Sequence, residues 1–271
     1  MKFKKIVNAS LKTIKNLIIN PASIFLVLGD QTPYKKYLKK KYNIEQLKTV
    51  DINTFLTEKK SKIENYTFLD GSSLITDLAL LRSMARSLPH CEYLEIGTWR
   101  GESIINVAKE AKHCTSINLS PDDIVKLGYE KEYADLHSCL IKNVGNITQV
   151  YANSLSFDFA SLNKKFDLIF VDGDHNYETV KSDSAKVFQL LQNDDSMIVW
   201  HDCGFNPETP RHSVIAGILD GMPAETHANI YHISNSICAV YTKKQVTAAY
   251  QSKYIKPDKV FNVSIENIPF D

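Results

Sequence analysis

Two short stretches of the chain set acids and imidazoles side by side: Asp172-Gly173-Asp174-His175-Asn176-Tyr177 and His201-Asp202. Each follows an apolar run, Phe166 to Val171 in the first case and Met197 to Trp200 in the second. Such runs read as buried strands, and open α/β sheets bind ligands at the carboxyl ends of their strands. Neighbouring strands lie ~4.8 Å apart, so the two stretches are expected to face one another. Asp172, Asp202 and His201 could then hold a hard cation such as Mg²⁺, with waters completing its shell. His175 is the natural general base, because an imidazole titrates near neutral pH. Asp172 and Asp174 could instead cap a helix that begins near Tyr177, a common task for Asp. So many ionisable groups at two adjacent strand ends exceed what capping requires.

The stretch Glu95-Ile96-Gly97-Thr98-Trp99-Arg100-Gly101-Glu102-Ser103 has the makings of a ligand-binding turn. Gly97 lets the chain turn sharply, and Gly101 lets backbone come close to a ligand or to the next helix. The helix that follows would aim its free N–H groups and positive dipole end at a ligand, which suits a carboxylate. The spacing is not the Gly-x-Gly-x-x-Gly of pyrophosphate binders, which argues against a nucleotide-dependent oxidoreductase.

These residues need elements to position them, and from about residue 72 the pattern is regular. It predicts helices over 73–87, about 102–112 and 177–192. The expected strands cover 93–96, 114–119, 147–152, 166–171 and 197–200. The runs Asn229–Ile233 and Ser236–Tyr241, two residues apart, read as an antiparallel hairpin. Continuous apolar strands alternating with helices imply a parallel sheet covered on both faces.

Glu-Ile-Gly-Thr-Trp-Arg-Gly-Glu-Ser resembles the first motif of class I S-adenosylmethionine-dependent methyltransferases, and its Gly-x-Ser resembles the catechol-type O-methyltransferases. Asp172-Gly-Asp-His175 is similar both to the Asp-Ala-Asp-Lys of metal-dependent catechol-type enzymes and to the Asp-Gly-x-His of macrocin-type sugar O-methyltransferases. The resemblance spans about residues 72–245. It implies a Rossmann-like α/β fold: a seven-stranded mixed sheet, its last strand antiparallel, with helices on both faces and a small helical N-terminal extension. It also implies S-adenosylmethionine held by Glu95, Gly97, Thr98, Gly101, Ser103, Asn118, Asn153, Ser154 and Asp172. Glu95 would lie under the methionine amino group, with Ser103 on its carboxylate. Asn118 stands where the family usually has an acid for the ribose hydroxyls, and the amide loses the charge-assisted strength of a carboxylate. Asn153 and Ser154 match positions that contact adenine or its ribose. The implied reaction is methyl transfer to a hydroxyl of a small molecule or sugar-containing metabolite, with His175 and Asp172 catalytic and Mg²⁺ assistance on Asp172, Asp202 and His201. Those families carry Asp-Asn or Glu-Asp at the last of these strand ends, so His201-Asp202 is a departure.

Composition sets the remaining bounds. The chain has 271 residues, 44% hydrophobic and 23% charged, as in ordinary folded proteins. Residues 1–65 hold 14 Lys against 5 acids, leaving 18 basic and 26 acidic residues beyond them. The reading is therefore a basic helical extension over 1–71, a methyltransferase domain over 72–245 and a tail over 246–271. Ile6, Leu11, Ile14 and Ile18 suggest a helix that Pro21 ends. Tyr34 to Tyr42 is a solvated helix face, or a grip for phosphate or anionic lipid. The window Leu17–Leu28 is too short to span a bilayer. Five scattered cysteines form no C-x-x-C pair and read as reduced thiols of a cytoplasmic protein. No nucleic-acid partner is expected; homo-oligomers and peripheral membrane contact are compatible with the basic extension. Arg211 and His212 follow the fifth of these strands, where such folds border their acceptor site. A competing reading is a degenerate, non-catalytic module that binds a partner or an anionic surface through that extension.

Overall fold

Side chains along a strand point alternately to its two faces, so a strand that is apolar throughout must be covered on both. Leu94, Ile96, Ile169, Val171, Ile198 and Trp200 face one buried cluster, while Tyr93, Leu168, Phe170, Met197 and Val199 face a second. The computed structural model describes residues 30–269. The helix expected from Ile6 to Ile18, the stop at Pro21 and the 17–28 window lie outside the described residues.

In chain order the elements begin with α1 (Thr32–Tyr42), β1 (Thr49–Val50), α2 (Ile75–Ser87), β2 (Glu92–Ile96), α3 (Glu102–Val107) and β3 (His113–Asn118). There follow α4 (Pro121–Lys126), α5 (Lys131–Ala134), β4 (Ile147–Tyr151), β5 (Leu168–Val171), α6 (Tyr177–Val187) and β6 (Met197–Trp200). The chain closes with β7 (Gly204–Asn206), β8 (Thr209–Pro210), α7 (His212–Gly221), β9 (Ile230–Ile233), β10 (Ala239–Tyr241) and β11 (Ala248–Ala249).

The main sheet runs β11-β1-β9-β10-β6-β5-β2-β3-β4. Strands β4, β3, β2, β5 and β6 are parallel, and β10 lies antiparallel to both β6 and β9. The sheet thus has nine strands rather than the expected seven. The extra two, β1 and β11, come from the flanking regions: β1 pairs with β9, and β11 adds to the outer side of β1. The hairpin turn is longer than expected, with residues 234–238 between its strands.

Helix α3 stops at Val107 instead of continuing to residue 112. There Glu110 N–H bonds back only three residues to Val107, and Lys112 N–H already reaches Cys91 on the way into β3. The Glu110 carboxylate is bound by Arg82 and Arg86 of α2, which fixes this bend. Helix α7, which the sequence reading lacked, lays Val214, Ile215, Ile218 and Leu219 into the first core cluster.

Helix α1 packs on the same layer. Asp220 of α7 accepts the hydroxyls of Tyr37 and Tyr177 at 2.5 Å each, that of Tyr42, and the Lys41 ammonium at 2.7 Å. Lys41 is therefore engaged within the fold, and Lys35 and Lys39 flank Glu45. Among the described residues, no helix is long and apolar enough to cross a membrane.

Candidate active site

Register places the functional strand ends at one level. Ile96 pairs with Val171, and Val171 with Trp200, so Gly97, Asp172 and His201 leave the sheet side by side. Gly97 has φ +86°, and a Cβ there would meet Asp172 O at 2.2 Å, so only glycine fits between the two strand ends. Gly101, at φ +100°, also needs to be glycine, but the group it admits is the Ile141 side chain rather than a ligand.

Behind this turn Glu95 is wholly buried. Its carboxyl accepts the Tyr93 hydroxyl at 2.7 Å and the Thr98 hydroxyl at 2.8 Å. Burial pushes it up to about 7, against the pull of those donors. Ser103 is buried in the first turn of α3. Asn118 donates its amide to Thr98 O at 2.9 Å, tying the end of β3 to the turn. Asn153 is used locally, its Oδ1 accepting Leu155 N–H at 3.0 Å. Ser154 donates to Asp183 of α6 at 3.2 Å, a carboxyl that burial pushes up to about 6.

The second half of the site is a charged cluster above β5 and β6. His175 Nδ1 lies 3.0 Å from Asp202 Oδ2, and Arg211 Nη1 lies 3.4 Å from Asp202 Oδ1. His201 Nδ1 lies 3.0 Å from Asp172 Oδ1 and 3.7 Å from Asp202 Oδ2, while its Nε2 lies 3.2 Å from Asp77 Oδ2. His175 is half-exposed, but His201 is nearly covered and Asp77 fully so. A small, open cavity lies here, bounded by Asp172, Gly173, His175, His201, Asp202 and Val214. It adjoins the glycine turn, because Asp172 and Gly173 are what Gly97 packs against.

The charges respond to one another. The hydrogen bond to Asp202 raises His175 above its ordinary value, outweighing burial. Burial opposes the Asp202 charge, but His175 and His201 hold that carboxyl well below the usual range. Burial likewise opposes the charge on His201, yet Asp172, Asp202 and Asp77 together raise it well above normal. Burial lifts Asp172, with His201 pulling it back.

Of the expected residues, the structure brings Asp172, His175, His201 and Asp202 together, and Gly97, Thr98, Glu95 and Asn118 around the turn. Asp174 is used locally: its carboxylate accepts the Asn176 N–H and side-chain amide just ahead of α6. One ligand atom each of Asp172, His201 and Asp202 lies within 4.8 Å of the others, close enough for a shared ion. Yet the donors are taken up. Both nitrogens of His201 face carboxylate oxygens, and the Asp202 oxygens face His175 and Arg211. The set as it stands does not fit a metal.

Sequence reasoning missed Asp77. It sits on α2, 124 residues from His201, and nothing local distinguishes it from an ordinary first-turn acid: it also accepts Leu74 N–H across the helix start. Its one signal is a charge on a helix that is otherwise apolar where it faces the core, with Leu78, Leu81 and Met84.

The order β4-β3-β2-β5-β6-β10-β9, with β10 antiparallel, agrees with the Rossmann-like mixed sheet that the sequence resemblance implies. Residues 94–203, from β2 to just past the Asp202 strand end, match a family described as a methyltransferase domain. Among solved structures it is similar to a methyltransferase of Podospora anserina bound to S-adenosylhomocysteine. The two are 17% identical over 65% of this chain and 81% of that one, at a TM-score of 0.45. An O-methyltransferase of Bacillus cereus in complex with S-adenosylhomocysteine is 17% identical over 77% of this chain and 96% of that one, at a TM-score of 0.42. No curated protein matches the chain.

Proposed function

We propose that the chain transfers a methyl group from S-adenosylmethionine to a hydroxyl oxygen of a small acceptor, a sugar-containing molecule by its likeness to the macrocin-type motif. The observation that carries this reading is the His175–Asp202 pair at the mouth of a cavity that adjoins the glycine turn. Asp202 accepts a hydrogen bond from the Nδ1–H of His175 and so leaves Nε2 as the unprotonated nitrogen, free to receive a proton.

Thr98, Ser103 and the Asn118 carbonyl oxygen would hold the methionine and ribose parts of the cofactor, with Glu95 buried beneath them and Asn153 and Ser154 beside its adenine. When bound, S-adenosylmethionine supplies a methyl group on a positively charged sulfur. His175 Nε2 would accept the proton of the acceptor's hydroxyl, leaving that oxygen able to attack the methyl group that a bound S-adenosylmethionine would supply. Asp202 stabilises the imidazolium that results, and Arg211 keeps Asp202 in place. Asp172, at the boundary between turn and cluster, orients the reacting groups. The unpaired cysteines, four of the five buried, agree with a reducing compartment such as the cytoplasm.

Methyl-labelled S-adenosylmethionine offered with a panel of hydroxylated acceptors, glycosides included, tests the reading. Label should appear on an acceptor oxygen. His175→Ala should slow this by roughly 10²-fold or more while leaving S-adenosylhomocysteine affinity unchanged. A wild-type protein that binds the cofactor but labels only nitrogen acceptors would overturn the hydroxyl assignment.

A further inference from the structure

We propose that His201 is the built-in cation of this site, held between Asp77 and Asp172 and taking the charge-balancing role of a divalent metal rather than serving as its ligand. The argument is one of donors and acceptors. An ionised carboxylate only accepts hydrogen bonds, and a neutral imidazole has one donor nitrogen. His201 meets a carboxylate oxygen at both, Asp77 Oδ2 at 3.2 Å and Asp172 Oδ1 at 3.0 Å. Only the imidazolium donates from both.

Asp77 cannot supply the missing proton, because donors already surround it. Ser236 Oγ at 2.5 Å and Ile237 N–H at 3.3 Å approach its Oδ1, and Leu74 N–H at 3.2 Å approaches Oδ2. Its position, fully buried and fixed from two elements, gives His201 one ring orientation. Buried charge is tolerated when it is paired, and the pairing here is nearly complete. The Asp77, Asp172 and Asp202 carboxylates meet His201, Arg211 and the shared proton of His175. A dication bound by Asp172, Asp202 and His201 Nδ1 would have to expel the Nδ1 proton and displace His175 and Arg211 from Asp202.

The consequence for catalysis rests on the methyl-transfer reading: His175 would activate the acceptor without help from a metal. The inference itself can be tested apart from activity. Full-length protein titrated with MnCl₂ and followed by electron paramagnetic resonance should leave the free Mn²⁺ signal undiminished, and MgCl₂ should give no heat of binding. Nitrogen-15 spectra at neutral pH should show both ring nitrogens of His201 protonated. His201→Glu, which exchanges the cation for a carboxylate, should gain Mn²⁺ affinity by about tenfold or more, the scale on which a metal's immediate surroundings act.

Stoichiometric Mn²⁺ binding to the wild type that Asp172→Asn abolishes would overturn the proposal, as would an unprotonated Nδ1 on His201. The wild-type measurements decide the matter even if the variant fails to fold. Calorimetry with S-adenosylhomocysteine on the same samples keeps the two readings apart. Failure there would refute the methyltransferase assignment and leave the His201 result standing.

Discussion

The turn after β2 is tied together within one window of chain, Tyr93 to Asn118, by hydroxyl and amide donors, two of which the buried Glu95 carboxyl accepts. The cluster above β5 and β6 draws Asp77, Asp172, His175, His201, Asp202 and Arg211 from four separate stretches, and it is held by charge. The first region is shaped by glycines at positive φ, and on the methyl-transfer reading it is the part that holds the cofactor. The second is held by charges that satisfy one another, and on the same reading it is the part that moves a proton. Damage to the turn should therefore appear as lost binding or stability. Damage to the cluster should appear as lost turnover.

The largest effect tests that division most severely. His175→Ala should lower turnover by roughly 10² to 10⁴-fold with the S-adenosylhomocysteine dissociation constant unchanged, measured by labelled-methyl transfer and calorimetry. If both parameters fell together, cluster and turn would be one unit. Gly97→Ala adds a Cβ into the Asp172 backbone at positive φ and should cost ~3 kcal/mol or more of stability in denaturant unfolding.

Glu95→Gln should change the pH dependence of stability. Burial raises the folded carboxyl to about 7 from an ordinary value of 4.5. Such an acid supports the fold fully below its unfolded value, and that support is lost as pH rises toward and through 7. The glutamine variant should escape that loss, about 3 kcal/mol in unfolding measured at pH 4 and pH 8. Asp202→Asn should shift the acid limb of the rate profile. The base must be unprotonated to act, and without the Asp202 hydrogen bond the His175 inflection should fall toward the ordinary imidazole value. The smallest effect is expected of Ser103→Ala, which should weaken cofactor binding by roughly tenfold, the worth of one hydrogen bond.

The contrast between the regions also explains what could be read from the chain. The turn was legible because its residues are contiguous and each glycine answers a local backbone demand. The parallel strands were legible because Leu168 to Val171 and Met197 to Trp200 are apolar throughout, as doubly covered strands must be. Strands β1 and β11 were not, since a two-residue strand has no periodicity and forms only where an existing edge offers partners. In the cluster the identities of Asp172, His175, His201 and Asp202 were readable, but their partners were not. His201-Asp202 suggested metal ligands because the pairing of His201 with Asp77 depends on how α2 packs over the sheet. Asp202 proved to orient His175 because Asp202 itself adopts φ +55°, a turn that an aspartate accepts and no pattern announces.

The central claim is that the crevice between the glycine turn and the charged strand ends receives an S-adenosyl nucleoside. Isothermal titration of the full-length protein with S-adenosylhomocysteine tests it directly. Saturable one-to-one binding, weakened by Ser103→Ala and untouched by His175→Ala, is the predicted result. A protein that gives no heat with the ligand at millimolar concentration, though folded, would contradict it.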